Sequence, residues 1–289
     1  MGGPVAPYIQ SQRRDTYGRY AQLLAEKGGA YYCFCEKCAS EEDSGEFDRA
    51  ADPCRDLPLE DALRRVEAGE PYVIRQKIPQ TGTTTFHDAI FGDITVENST
   101  LDDQVLLKRD GLPTYNFANV IDDHLMGITH VMRGMEYLSS TPKYNLLYEA
   151  FGWEIPQYIH MPPVMRDSQH KLSKRDGDAY FSDYVDKGYL VEAIVNYLAL
   201  VGWNPGDDSE LMTMQELIDK FSFEHCSKAG AKFDFKKGEW FNHEYLMRKP
   251  DEELAALFMP ILEEHYVSGF TPEYVARAIG LSLIHISEP

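Results

Sequence analysis

Lys171, Lys174 and Arg175 fall within five residues, Lys171-Leu172-Ser173-Lys174-Arg175, with Asp176 and Gly177 after them and Asp167 and His170 before. Three cations spaced by one apolar residue and one small hydroxyl, and closed by a glycine, suit a loop that folds over a polyphosphate. Lysines would act there as point charges and the arginine as a planar fork on phosphate oxygens. Positive charge delivered where pyrophosphate builds negative charge stabilises a transition state, and a loop that closes late applies it at that moment. Lys171, Ser173, Lys174 and Arg175 are therefore the candidate catalytic residues. Taken alone, such a run reads equally as a solvated basic turn or a localisation-type patch.

A second group lies upstream. Tyr115 and Asn119 are four apart and share one face of a helix. Asp122, Asp123 and His124 follow one turn later, and Arg133 and Glu136 come after an apolar run through Val131 and Met132. A phenol, an amide and a guanidinium that converge can hold an amino-acid carboxylate, because arginine grips carboxylates with two parallel hydrogen bonds. Each residue alone has a plainer reading: a surface arginine, a solvated pair of acids.

Cys33, Cys35, Cys38 and Cys54 form a third group, with Cys226 far away. On a strand Cys33 and Cys35 point to one face, so two thiolates can meet one metal, with Cys38 or Cys54 returning from the next turn. The spacing C-x-C-x2-C-x15-C is not the paired C-x2-C pattern of the strongest zinc signatures, and reduced, partly buried thiols are the alternative. A disulfide fits least in a chain without secretory features.

These groups need elements to carry them. Gln12 to Lys27 reads as an amphipathic helix through Tyr17, Tyr20, Ala21 and Leu24 that stops at Gly28-Gly29, followed by a strand from Ala30 to Cys35. Leu57 to Ala68 predicts a short helix with Pro58 at its first position. From Tyr72 to Leu107, the segments 72–75, 83–86, 94–96 and 105–107 predict one small antiparallel sheet, closed by a turn at Asp110-Gly111. Tyr189 to Val201 is a helix whose stripe of Ile194, Tyr197, Leu198 and Val201 reads as core, Thr213 with Glu216 forms a capping box, and Trp240 reads as a core anchor. The 289 residues suffice for about two domains, and 43% hydrophobic content is ordinary for a globular protein. No run of about 18 apolar residues predicts a membrane span, and the N-terminal residues do not read as a secretory signal, so a cytoplasmic location is expected. The net charge of -19 argues against a diffuse nucleic-acid surface. The cations are nonetheless locally gathered: Lys108 with Arg109, the 171–175 run, and Lys228, Lys232, Lys236 and Lys237.

GLPTYNFANVIDDHLMGITHVMRGMEYLSSTPKYNLLYEAFGW, followed by HMPPVMRDSQHKLSKRDGD, closely resembles the bacterial-type glutamyl-tRNA synthetases, class I ligases that adenylate glutamate and load it on tRNA. The resemblance runs from about Tyr8 to about Leu281 and takes in YIQSQR, AYYCFC and FDFKKGEWFNHEYL. It implies an α/β fold: a Rossmann-type catalytic core with an inserted α+β domain for the tRNA acceptor end and a helical C-terminal part. The implied segments are 1–29 and 106–177 for the two parts of the core, 30–105 for the insert, 178–250 for a helical stem-contact domain and 251–289 for the start of an anticodon-binding domain. The family's N-terminal strand with its His-Ile-Gly-His type signature, and most of its anticodon-binding domain, are expected to lie outside this stretch. Residues 282–289 depart from the family pattern.

The resemblance also implies roles. Tyr115, Asn119 and Arg133 match glutamate-binding positions, Arg133 facing the side-chain carboxylate. Glu136, Tyr137, Val164 and Met165 match ATP-binding positions, and Lys171 to Arg175 match the family's signature loop, Lys174 meeting the phosphates. Cys33, Cys35 and Cys54 match cysteines that bind zinc in some members. Cys54 is followed by Arg55-Asp56 rather than the usual C-x-H or C-x-Y, so Cys38 would have to complete the set. Lys108, Arg109, Lys236 and Lys237 are the candidate tRNA contacts, although Gly238 stands where an apolar residue is usual. The implied reaction is attack of the glutamate carboxylate on the α-phosphate of ATP, with Mg2+, and passage of the acyl group to tRNA(Glu), with no nucleophilic side chain and a monomer as the expected state. Alternatives are a paralogue that glutamylates a modified nucleoside of tRNA(Asp), a glutaminyl-type enzyme, and a catalytically inactive tRNA-binding fragment.

Overall fold

The structure, a computed structural model, describes residues 3–35, 52–167, 169–172, 180–265 and 269–286. Cys38, Ser173, Lys174 and Arg175 lie outside the described residues. The chain divides into two compact units, Met1–Met161 and Pro162–Pro289.

In the first unit a 3-10 turn, Gln10–Arg13, runs into helix α1 (Arg14–Glu26), whose buried face is Tyr17, Ala21, Leu24 and Ala25. Gly28, at φ +79°, ends it, and Gly29 donates to the Leu24 carbonyl at 2.9 Å. A side chain at Gly29 would come within 2.8 Å of the Ala150 Cβ, so only glycine lets the helix end approach that closely. Strands β1 (Ala30–Cys33), β2 (Val73–Gln76) and β5 (Val105–Leu107) form an antiparallel sheet in the order β1-β2-β5. Helix α2 (Leu59–Glu67) lies between β1 and β2 in sequence.

The expected single antiparallel sheet is corrected here. Strands β3 (Thr83–Asp88) and β4 (Gly92–Glu97) leave the other two segments, form a hairpin and join a second sheet, β4-β3-β7-β6, with β6 (His130–Gly134) and β7 (Gln157–Met161). β7 pairs in parallel with both β3 and β6. The hairpin has one wet face, seen in the strict exposed/buried alternation along β3, whereas β2 is buried throughout. Helices α3 (Tyr115–Leu125) and α4 (Thr141–Phe151) complete the unit. Its core joins Tyr17, Leu24, Ile74, Leu106, Phe117, Ile121, Tyr144 and Leu147, and each large apolar side chain removed from water contributes about 1.5–3 kcal/mol.

The second unit holds strands β8 (Val164–Met165) and β9 (Ala231–Lys232), paired in parallel, and helices α5 (Phe181–Asp186), α6 (Val191–Leu200), α7 (Met214–Lys220), α8 (Phe235–Met247), α9 (Asp251–Glu264) and α10 (Pro272–Ile286). The capping box at Thr213 and Glu216 forms as the sequence indicates. Two expectations are corrected. Trp240 is 39% exposed, and Phe241 on the next helical face is the core residue, at 0%. Leu198 is 43% exposed, because the inward face of α6 runs through Ala193, Ile194, Asn196 and Tyr197. Buried Asn196 earns its place by accepting from the Met212 N–H and the Tyr245 hydroxyl, both at 2.8 Å. Gly238 packs against Tyr197, whose ring a Cβ there would meet at 3.3 Å. Among the described residues no helix is long and apolar enough to cross a membrane.

Candidate functional site

Arg133 leaves β6 in the first unit with its guanidinium stacked among aromatic rings, 4.7 Å from the centroid of Tyr144, 5.1 Å from Tyr137 and 5.8 Å from Tyr158. Its Nε–H donates to His160 Nε2 at 3.1 Å and an Nη2–H donates to the Thr141 hydroxyl at 3.0 Å. Both acceptors are neutral groups, and among the described residues Arg133 has no ion-pair partner. Tyr115, 57% exposed, lies 5.7 Å from the Tyr137 ring. Burial and then the Tyr137 phenol raise its pKa. The structure thus brings Tyr115, Arg133 and Tyr137 together. Asn119 shares the α3 face of Tyr115, but its side-chain oxygen accepts locally from the Val120 N–H at 2.7 Å. Glu136 is exposed.

The acids after Asn119 are not a solvated pair. Asp122 accepts from Arg13 Nε at 2.8 Å and from the Tyr17 hydroxyl at 2.7 Å, tying α3 to α1. Burial and this carboxylate push Tyr17 up to about 12. Burial pushes Asp123 up to about 6 against the pull of Arg133. His124 stacks on Trp153 at 3.7 Å, and burial lowers its pKa.

Behind Arg133 lies a buried relay that the sequence reading missed. His160 Nδ1 is 2.7 Å from Asp88 Oδ2, and both side chains are wholly inaccessible. Asp88 also accepts from the backbone N–H of Ile90, Phe91 and His160 at 2.9 to 3.0 Å. Asp88 ends β3 and His160 lies in β7, so strand pairing brings them together; HMPPVMR marks His160, but nothing near position 88 marks its partner.

The thiol group is in the same unit. Cys33, Cys35 and Cys54 gather with Asp52 so that one ligand atom from each lies within 4.8 Å of the others. Cys35 and Cys54 sulfurs are 3.6 Å apart, and Cys33 Sγ is 3.5 Å from Asp52 Oδ2. Tetrahedral zinc with bonds near 2.3 Å to sulfur sets ligand atoms roughly 3.8 Å apart, so the donor set fits that ion. Asp52, not singled out in the sequence, supplies the fourth atom. Arg55 pins this loop to the segment that leads into β5 through a buried 2.7 Å pair with Asp103.

In the second unit, β8 carries Val164 and Met165, whose carbonyls accept from Leu172 N–H at 2.9 Å and Phe233 N–H at 2.8 Å. Exposed Lys171 bridges to Met165, and the Arg166 N–H donates to the His170 carbonyl at 2.9 Å. N–H groups of Gln169 and His170 hold Asp167 at a pKa of about 2. Lys236 and Lys237 are exposed in the first turn of α8, where Asp234 accepts from their backbone N–H groups; the Lys237 ammonium pairs with Glu210. In the first unit Arg109 is exposed and Lys108 half-buried, beside the Asp110-Gly111 turn.

The mixed sheet with its flanking helices agrees with what the comparisons find. The family profile described as tRNA synthetases class I (E and Q), catalytic domain, matches residues 3–240, and the chain belongs to this family. Within it the likeness is to bacterial glutamate–tRNA ligases. The protein of that name from Clostridium botulinum (strain Hall) is 56% identical over 270 residues, 91% of this chain and 56% of the relative. That from Clostridium kluyveri is 54% identical over 266 residues, 90% and 55%. The crystal structure of a glutamate tRNA ligase from Elizabethkingia meningosepticum in complex with its amino acid superposes with a TM-score of 0.85 at 38% identity, covering 97% of this chain and 62% of that one. The fold is that of class I synthetases, as the sequence implies. The chain spans about half the length of the curated relatives it matches.

Proposed function

We propose that this chain carries the glutamate-binding and ATP-binding core of a glutamate–tRNA ligase, acting on glutamate, ATP and tRNA(Glu). The observation that carries the reading is Arg133: a guanidinium oriented by two neutral acceptors, packed on tyrosines and lacking an acidic partner among the described residues. A half-buried cation so arranged invites an anion, and a carboxylate matches its fork. Tyr115 and Asn119 border the same ligand, Glu136, Tyr137, Val164 and Met165 serve the nucleotide, and Lys171 to Arg175 serve its phosphates. The residues bind and orient, so that the glutamate carboxylate attacks the α-phosphate in line and pyrophosphate departs. Mg2+ accompanying ATP supplies neutralising charge. Zinc held by Cys33, Cys35, Cys54 and Asp52 would staple the segment 30–105, proposed as the acceptor-end insert, with Lys108, Arg109, Lys236 and Lys237 as tRNA contacts.

Calorimetric titration of the chain with L-glutamate tests this reading. Replacing Arg133 with Ala is expected to weaken binding about 30-fold or more, from loss of a charge-assisted bidentate contact worth about 2 kcal/mol or more. Unchanged affinity refutes the assignment.

A further inference from the structure

Arg133 is held from behind, and the proton positions in that support follow from counting. Asp88 Oδ2 lies 2.7 Å from His160 Nδ1, and an acid oxygen that also accepts a backbone N–H at 3.0 Å requires the imidazole to donate from Nδ1. Arg133 Nε can only donate, so Nε2 at 3.1 Å presents its lone pair and the ring is neutral, the direction in which burial also moves its pKa. The Thr141 hydroxyl sends its single proton to the Tyr137 carbonyl at 2.9 Å, although its oxygen is 3.2 Å from Nε2. The donor to Nε2 is therefore the Arg133 Nε–H, at 3.1 Å. The result is one directed chain, Arg133 Nε–H to His160, His160 Nδ1–H to Asp88, with Asp88 anchored by the N–H groups of Ile90 and Phe91. If the imidazole proton sat on Nε2, two donors would face each other and the guanidinium would be driven off its place.

We propose that Asp88 and His160 are positioning residues that fix the Arg133 guanidinium in the orientation that receives the side-chain carboxylate of glutamate, a proposal that rests on the reading of Arg133 given above. Held by Nε on His160 and by one Nη2–H on Thr141, the guanidinium keeps Nη1 and the other Nη2–H for the ligand, and the neutral imidazole orients the cation without neutralising it. An acid in place of His160 would orient Arg133 equally well but would compete with the substrate for its charge. That distinction separates a carboxylate reader from a structural arginine. The anchor stands on β3, whose hairpin belongs to the segment proposed to hold the tRNA acceptor end, so the amino-acid site and that segment share one buried contact.

The test uses the whole 289-residue chain. Long-range 1H–15N NMR without ligand is expected to show His160 neutral with its proton on Nδ1, and the Arg133 Nε–H in slow exchange. A proton on Nε2 overturns the proposal whether or not glutamate binds. His160→Leu is expected to lose the slow Arg133 Nε–H, weaken L-glutamate about tenfold or more and narrow the preference for L-glutamate over L-glutamine. His160→Gln, whose carbonyl can accept from Arg133, is expected to restore most of both. Equal losses in the two variants with the glutamate/glutamine preference unchanged would mean that His160 acts only through the fold, and would overturn the proposal. Arg133→Ala that loses glutamate while His160→Leu keeps it overturns this proposal alone; Arg133→Ala that binds glutamate as the parent does overturns the reading beneath it.

Discussion

Asp123 is a carboxyl group that the fold holds at a cost, and its replacement by Asn should stabilise the protein. Burial moves its pKa from 3.8 to about 6, although Arg133 pulls the other way. Between those two values the folded chain keeps a proton that the unfolded chain has released. Stability therefore falls as pH rises through this window, and the penalty is complete above it. At about 1.4 kcal/mol per pH unit, the lift sets a ceiling of about 3 kcal/mol. The side chain is only partly buried, and screening by water brings the expected gain for Asp123→Asn to about 1–2 kcal/mol. Urea unfolding followed by tryptophan fluorescence, to which Trp153 stacked on neighbouring His124 contributes, reads the effect. The variant should be the more stable one near pH 7.5, with the advantage shrinking through pH 6 and absent below about pH 4. A variant less stable than the parent near pH 7.5, or equally stabilised at both ends of the range, refutes the argument and makes the ionised carboxylate a net contributor through Arg133.

Two further outcomes are expected. The purified chain should carry about one zinc ion by mass spectrometry, and Cys54→Ser should lose most of it; full retention would move the metal elsewhere. In denaturant unfolding Phe241→Ala should cost about 3–5 kcal/mol and Trp240→Ala less than about 1 kcal/mol, and the opposite order would contradict the burial assigned to them.

What was legible in the sequence was local. The stop of α1 at Gly28, the capping box at Thr213 and the shared face of Tyr115 and Asn119 depend on residues within a turn or two of each other. The resemblance to glutamyl-tRNA synthetases, carried by long ordered motifs, reached the family and fold that the comparisons show. What stayed hidden was set by pairing across the chain. Nothing local tells that 83–88 leaves its neighbours for a parallel strand at 157–161, and so nothing local couples Asp88 to His160. Asp122 reads as a solvated acid until Arg13, from the far side of the unit's sequence, takes it. Asp52 is an ordinary loop acid until three sulfurs close around it. Trp240 failed for another reason: size and hydrophobicity favour the core, but the phase of α8 gives the inward place to Phe241.

The parallel joint between β3 and β7 also sets a schedule. The β3–β4 hairpin closes on neighbours, so it can form as soon as its own residues are made. Asp88, by contrast, meets His160 across 72 residues of chain. The hairpin is complete at Glu97 and β7 begins at Gln157. At roughly 5–20 residues per second of synthesis, it stands for about 3–12 s with its inner edge open and its future anchor acid in water. Only when β7 leaves the ribosome does the sheet close, and the arginine behind it acquires its aim.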